Sequence, residues 1–265
     1  MESKNLGAVN YLPPFQPSLT LIAPLRSATS GFHGGRSIIL RRLRISRLYV
    51  TFFFMVGIVD YNAGNIKSVE RALGFLKAEY VLSKNPADLE KCDRLIFPGV
   101  GEAKYAMEQL KLTGFDSFLK DWAQAEKPLL GVCLGSQIIF EHSEEGNVDC
   151  LGLLKGTIRH FESVWKDSGI SPELKVPHMG WNNLEYANGS SPLFDGVDSK
   201  SDFYFVHSYL IQPDDQSIVK AWADYGCKVP ACVSQGSITA FQFHPEKSGR
   251  AGLKILQNYI GGAKC

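Results

Sequence analysis

The segment best suited to carry chemistry is Gly131-Val132-Cys133-Leu134-Gly135. The apolar run Pro128–Val132 reads as a strand and Leu134–His142 as a helix, so the cysteine falls on the turn between them. This is the spacing of a nucleophile elbow, G-x-Nuc-x-G, with cysteine in place of serine. The turn is sharp, and a side chain at Gly131 or Gly135 would meet neighbouring backbone. It lifts the thiol above the sheet and sets it at a helix N-terminus, where the backbone dipoles favour thiolate. The alternative is a core cysteine whose neighbours happen to be glycines.

A cysteine nucleophile needs a base, and the base needs an orienting acid. Phe241-Gln242-Phe243-His244-Pro245-Glu246 supplies both, about 110 residues downstream and just after a strand. Pro245 stiffens the turn, so His244 and Glu246 can lie along one edge of a site. A surface turn would carry the same three residues. Pro98-Gly99-Val100-Gly101 lies at the end of another strand. Its glycines permit backbone N–H groups to face an oxyanion, although an ordinary β–α turn would look alike. All three segments fall at carboxyl ends of expected strands, where open α/β sheets bind ligands.

The elements that must position them alternate from Val56 onward. Strands are expected at Val56–Val59, Tyr80–Leu82, Arg94–Phe97 and Pro128–Val132. Helical patterns follow at Val69–Leu76, 102–112, 115–124 and Leu134–His142. Such alternation implies an open, mostly parallel sheet with helices on both faces, flavodoxin-like in class. Tyr204–Val206, Ile218–Ala223, Ala231–Ser234 and Ile238–Phe243 read as short strands forming an antiparallel extension of that sheet, closed by a helix over Leu253–Ile260.

A chain of 265 residues can bury a full α/β core. A net charge of +1 points to neither nucleic acid nor an acidic surface. The six cysteines form no CxxC pair and no His cluster accompanies them, so a zinc site and a disulfide framework are both unexpected; no metal and no cofactor is implied. Reduced thiols suit a cytoplasmic location. Residues 1–54 hold seven of the 28 basic residues but one of the 27 acidic ones. That break makes 1–54 an N-terminal extension, expected to be disordered. It has the composition of a transit peptide, which would place the protein in a plastid; it also fits a start misplaced upstream of Met55, or a real extension. The domain proper is expected over 55–265. The apolar run Tyr49–Val59 is too short to span a bilayer.

GVCLGSQ together with FHPE resembles the class I (triad) glutamine amidotransferases. Within that family VDYNAGNIKSV (59–69), PGVG (98–101), VPHMGWN (176–182), YFVHSY (204–209) and FHPEKS (243–248) are similar to the glutaminase subunits of imidazole glycerol phosphate synthases. The resemblance runs from Met55 to the C-terminus. It implies hydrolysis of L-glutamine, with Cys133 as nucleophile, His244 as base and acid, and Glu246 as the orienting acid. It implies glutamine contacts at Gln137 and Glu145, and a turn at His207, Ser208 and Tyr209 whose backbone holds the α-carboxylate. It assigns the oxyanion donors to Gly99–Gly101 and the Leu134 N–H. Asn62, Gly64, Asn65, Trp181, Asn182, Tyr204 and Lys247 would face a barrel-type cyclase in a heterodimer, which takes the ammonia for histidine biosynthesis. Ser136 departs from the family, where methionine is more usual.

Three other functions fit parts of the pattern. A glutaminase serving pyridoxal phosphate synthesis would lack HMGWN and FHPEKS. A non-catalytic regulator would have no need of the triad. A cysteine peptidase or redox sensor would leave Gln137, Glu145 and the PGVG segment without a use.

Overall fold

The computed structural model describes residues 54–187 and 191–262. The expected extension, apart from Phe54, lies outside the described residues. The first half alternates as the hydrophobic pattern requires: β1 (Val56–Val59), α1 (Ile66–Phe75), β2 (Tyr80–Ser83), α2 (Pro86–Leu89), β3 (Arg94–Gly99), α3 (Ala103–Thr113), α4 (Phe115–Gln124), β4 (Leu129–Cys133) and α5 (Leu134–Gln137). Next come β5 (His142–Ser143), β6 (Val148–Asp149), β7 (Gly156–His160), α6 (Phe161–Asp167), β8 (His178–Asn183) and β9 (Glu185–Tyr186). The chain continues through β10 (Asp202–His207), β11 (Tyr209–Pro213), β12 (Val219–Asp224), β13 (Lys228–Gln235), β14 (Ile238–Phe241) and α7 (Gly249–Ile260).

The main sheet has the order β2-β1-β3-β4-β14-β13-β12-β9. Its first five strands are parallel and follow the doubly-wound 2-1-3-4-5 order, with β14 as the fifth. β13, β12 and β9 extend it antiparallel. Every residue of β1, β3 and β4 is buried, as expected for strands covered on both faces. Side chains alternate between two cores. Leu95, Phe97 and Leu129 join α3 and α4 through Met107, Leu110 and Leu119, while Ile96, Leu130 and Val132 join α1 and α7 through Leu73, Ile255 and Leu256.

Three expectations are corrected. The helix expected over Leu134–His142 stops at Gln137. Ile138, Ile139 and Phe140 are all fully buried, which one face of a helix cannot achieve, and their carbonyls accept from Leu151, Leu153 and Gly152 instead of from the next turn. Tyr204–Val206 does not extend the main sheet: β10 pairs antiparallel with β8 in a separate two-stranded ribbon. The strand expected over Ile238–Phe243 ends at Phe241 and runs parallel to β4, so it completes the parallel sheet and is antiparallel to β13 only. A four-stranded sheet, β11-β7-β5-β6, went unread because its strands are short and weakly patterned.

Candidate active site

β3, β4 and β14 are adjacent in the sheet, so the three segments singled out in the sequence meet at one edge. Gly99 pairs in register with Cys133. Cys133 has φ 54° and ψ −113°, a conformation that costs a non-glycine residue about 1–3 kcal/mol. The surrounding backbone enforces it. A Cβ on Gly131 would lie 2.9 Å from the Gly135 oxygen, and one on Gly135 would lie 2.0 Å from the Phe97 oxygen. Ser136, fully buried, donates its hydroxyl to the Cys133 carbonyl at 2.6 Å. A methionine at 136 would have no hydroxyl for this tie, and nothing in the local sequence announced it. α5 is a single turn, so the helix N-terminus expected behind Cys133 is that of four residues, Leu134–Gln137, and not of a long helix.

His244 follows β14 and is held by backbone and side-chain ties. Its N–H donates to the Tyr204 carbonyl at 2.9 Å, and its carbonyl accepts from the Ser248 hydroxyl at 2.6 Å. Ser248 in turn accepts from the Tyr204 N–H at 3.0 Å, locking the turn to β10. Gly252 of α7 backs the turn, because a Cβ there would lie 1.9 Å from the Pro245 oxygen. His244 Nδ1 is 2.7 Å from Glu246 Oε1, with both side chains nearly inaccessible. Nε2 is buried and closes no well-aligned hydrogen bond among the described residues, and the neighbouring Cys133 sulfur faces it. Burial lowers the His244 pKa, but interactions with Cys133 and then Glu246 outweigh it and raise the pKa to about 9. The imidazole is therefore a proton carrier at neutral pH. Cys133 Sγ also lies 3.9 Å from the Val206 carbonyl oxygen.

A cleft of about 280 Å³ opens over the sulfur. It is lined by Cys133, Leu134, Gln137, Glu145, His244 and the His207–Tyr209 turn, together with Val100 and Gly101. Glu246 is not in its wall; it lies behind His244. Gly99 is also absent from the wall and packs inward, where an added Cβ would lie 2.6 Å from the Tyr61 hydroxyl and 2.7 Å from the Gly135 nitrogen. The Tyr61 hydroxyl, buried and without a hydrogen-bond partner among the described residues, is a further neighbour of the site that the sequence did not disclose. Burial raises its pKa, and charge at Cys133 raises it further.

Gln137 uses its amide nitrogen on the Tyr209 carbonyl and on Gln242 Oε1, both at 2.9 Å, leaving its oxygen as an acceptor. Glu145 accepts from the Ala103 N–H at 2.8 Å, which ties it to the start of α3. Burial pushes the Glu145 carboxyl up, the Ala103 N–H pulls it down, and Glu102 adds a smaller upward push. The cleft thus offers a nucleophile with an imidazole at one end and a carboxylate at the other. That suits a substrate with a reactive carbonyl and a distal cation.

The residues expected to face a partner separate into groups. Trp181 and Tyr204 are register neighbours on the ribbon, with rings 5.9 Å apart, and Lys247 Nζ lies 5.7 Å from the Tyr204 ring. Met179, unread in the sequence, shares the Trp181 face and is 62% exposed. Asn182 points the other way and donates to the Asp224 carbonyl at 2.9 Å. Asn62 and Asn65 lie in the β1–α1 loop, Asn62 accepting from Lys84 and donating to Gln109 of α3, and Asn65 accepting from the nearby Ser68 hydroxyl. Gly64 lies between them. No helix of the described residues is long and apolar enough to cross a membrane.

Residues 57–260 match the family model described as glutamine amidotransferase class-I. The chain is 45% identical over 206 residues to the imidazole glycerol phosphate synthase subunit HisH of Halalkalibacterium halodurans, covering 77% of this chain and 94% of that protein. The HisH of Geobacillus kaustophilus is 46% identical over 208 residues, covering 78% and 96%. HisH 1 of Campylobacter jejuni is 45% identical over 208 residues, covering 78% and 99%. Among solved structures, a glutamine amidotransferase superposes with a TM-score of 0.60 at 20% identity, covering 78% of this chain and 98% of that one. PurLQS from Thermotoga maritima gives 0.60 at 20% identity, covering 79% and 100%. At such identities the two structures speak to the fold alone.

Proposed function

The chain belongs to the class-I glutamine amidotransferases, and from that premise we propose that residues 55–265 form the ammonia-producing subunit of an imidazole glycerol phosphate synthase. The observation that carries the reading is the 2.7 Å His244–Glu246 pair set beside a cysteine at positive φ on the neighbouring strand end.

In this reading Cys133 sulfur attacks the side-chain carbonyl of glutamine. The oxyanion forms against the Leu134 N–H and a donor from the Gly99–Gly101 segment. His244 gives its proton to the departing amide nitrogen, and ammonia leaves a thioester on the sulfur. Water then attacks the thioester, His244 takes a proton from it, and glutamate is released with the thiol restored. Glu246 holds the imidazole by Nδ1 throughout, which fixes the ring and favours its charged form. Glu145 suits the α-ammonium of glutamine, and backbone at Ser208 and Tyr209 its α-carboxylate.

Ammonia made here would pass to a barrel-type cyclase docked on the Trp181–Tyr204–Lys247 face. That partner would build imidazole glycerol phosphate and the aminoimidazole carboxamide ribotide co-product of histidine biosynthesis. The test is ammonia release from glutamine by the full chain, alone and with its cognate cyclase. A complex that makes the imidazole product from ammonium salt but not from glutamine would overturn the reading.

A further inference from the structure

His178 and His207 face each other in register across the β8–β10 ribbon, and both are buried. The His178 ring is stacked between Tyr225 and Phe205, with centroids 4.0 and 4.6 Å away. Their polar atoms run in single file. His207 Nδ1 is 2.7 Å from the Tyr209 carbonyl oxygen, and His207 Nε2 is 3.0 Å from His178 Nδ1. His178 Nε2 is 3.3 Å from Asn182 Nδ2, which is also 2.9 Å from the Asp224 carbonyl oxygen.

This file admits one arrangement of hydrogens. A carbonyl only accepts, so His207 carries its hydrogen on Nδ1 and accepts at Nε2. His178 must then donate from Nδ1 and accept at Nε2, where the Asn182 amide, itself fixed as donor by Asp224, supplies the hydrogen. A second proton on either ring would set two donors face to face. Burial holds both rings neutral, His178 at about 4 and His207 at about 3. The titratable groups acting on them, His178 and His244 upon His207, push in the same direction. The Tyr225 hydroxyl is committed to the Lys175 carbonyl.

The file ends on the Tyr209 carbonyl, which also accepts from Gln137 Nε2 at 2.9 Å. Only Ser208 separates the end of β10 at His207 from the start of β11 at Tyr209, and Ser208 and Tyr209 line the cleft. The chain of donors therefore ties the ribbon, the main sheet through Asp224 on β12, and the small sheet through Tyr209 on β11. We propose that His178 and His207 are positioning residues for glutamine, a one-way donor chain that pins the Ser208–Tyr209 turn in its binding geometry. This rests on the cleft being the glutamine site.

Nitrogen-15 NMR of the histidine rings in the full chain at neutral pH reads the tautomers without any substitution. Both rings are expected as Nδ1–H tautomers, and an Nε2–H form of either overturns the chain. His178→Phe keeps the aromatic stack but cannot donate. Assayed with the cognate cyclase, it is expected to raise KM for glutamine about tenfold, with a smaller change in kcat. His178→Asn, whose amide nitrogen can stand near Nδ1, should recover most of the loss. A packing role predicts the opposite order, with Phe the milder change. Wild-type turnover with an unshifted KM in H178F overturns the pin alone. Wild-type protein that releases no ammonia overturns the glutaminase reading, and with it the assignment of the turn to glutamine.

Discussion

His244 Nδ1 lies 2.7 Å from Glu246 Oε1, with the two side chains only 2% and 3% exposed. Solvent screens such a pair poorly, so the carboxylate weighs heavily on the imidazole next to Cys133. Glu246→Gln keeps the shape and removes the charge. Glutamine turnover should fall by about two to four orders of magnitude, because the ring loses its fixed tautomer and its support as a cation. The alkaline limb of the pH–rate profile, expected near 9 from His244, should move to lower pH in this variant. An alkaline limb that stays put in E246Q would detach Glu246 from His244.

The His-Pro-Glu turn depends on a glycine the sequence did not single out. A Cβ on Gly252 would lie 1.9 Å from the Pro245 oxygen and 2.8 Å from the Ser248 Cβ, neither of them the far end of a flexible side chain. Gly252→Ala should push the turn away from α7 and misplace His244. Displacements of this order at a catalytic group cost about a hundredfold in rate. The checks are kcat/KM and thermal midpoint together: a stable, fully active G252A protein would show that the turn tolerates the shift.

Much of the site was legible because its parts are contiguous in sequence and each marks a strand end. GVCLG, FHPE and PGVG announce themselves through glycine and proline, and the parallel sheet then brings β3, β4 and β14 together. What stayed hidden depends on register and long-range contact. Ser136 stood out only as a departure from the more usual methionine, and its hydroxyl on the Cys133 carbonyl could not be read from that. Tyr61, Gly252 and the His178–His207 pair are coupled to the site across separate elements, and no local spacing encodes that. The 138–140 segment misled for the opposite reason: its apolar run suits a helix, but burial on every side requires partners from 151–154.

Stability should peak near pH 6.5. His178 and His207 are held near 4 and 3 in the folded protein against an ordinary value of 6.5, so between those values the unfolded chain binds more protons. Stability from these groups is present above 6.5 and declines as pH falls toward 4. His244 is raised to about 9, so its contribution is full below 6.5 and is lost as pH rises through 9. Denaturant midpoints across pH 4–10 would show this. H178F should flatten the acid side, and an unchanged acid slope in that variant would remove His178 from the account.

Cys133, the proposed nucleophile, sits in a strained backbone conformation. Cys133→Ala should abolish glutamine hydrolysis, while the complex still forms product from added ammonium, since that chemistry lies in the partner. Cys133→Gly should be equally inactive yet more stable than the alanine variant, by about 1 kcal/mol, because φ 54° is free only to glycine. Denaturation curves decide it. An alanine variant as stable as the glycine variant would mean the elbow stores no strain.

Among the described residues, the segment proposed to supply an oxyanion donor is anchored at both ends and not between them. Gly99 is hemmed in by Tyr61, Leu134 and Gly135 and registered against Cys133, while Ala103 is tied to Glu145. Val100 and Gly101 span the gap, with Val100 37% exposed and Gly101 at φ +97°, a backbone state that glycine leaves and re-enters at little cost. A peptide turned the wrong way there would withhold one donor from the oxyanion, worth about 3–4 kcal/mol or two to three orders of magnitude in rate. α3 begins two residues later and offers a lever for small displacements. A docked cyclase with its nucleotide substrate bound would then bias the segment toward the complete oxyanion hole, and glutamine would be spent only when an acceptor is present. The free chain should turn over glutamine slowly, the complex somewhat faster, and the complex with cyclase ligand about a hundredfold or more above the free chain. Gly101→Ala, strained at this φ, should lower the ligand-stimulated rate more than the basal one. Equal turnover in all three states would end the gating idea and leave the glutaminase assignment standing.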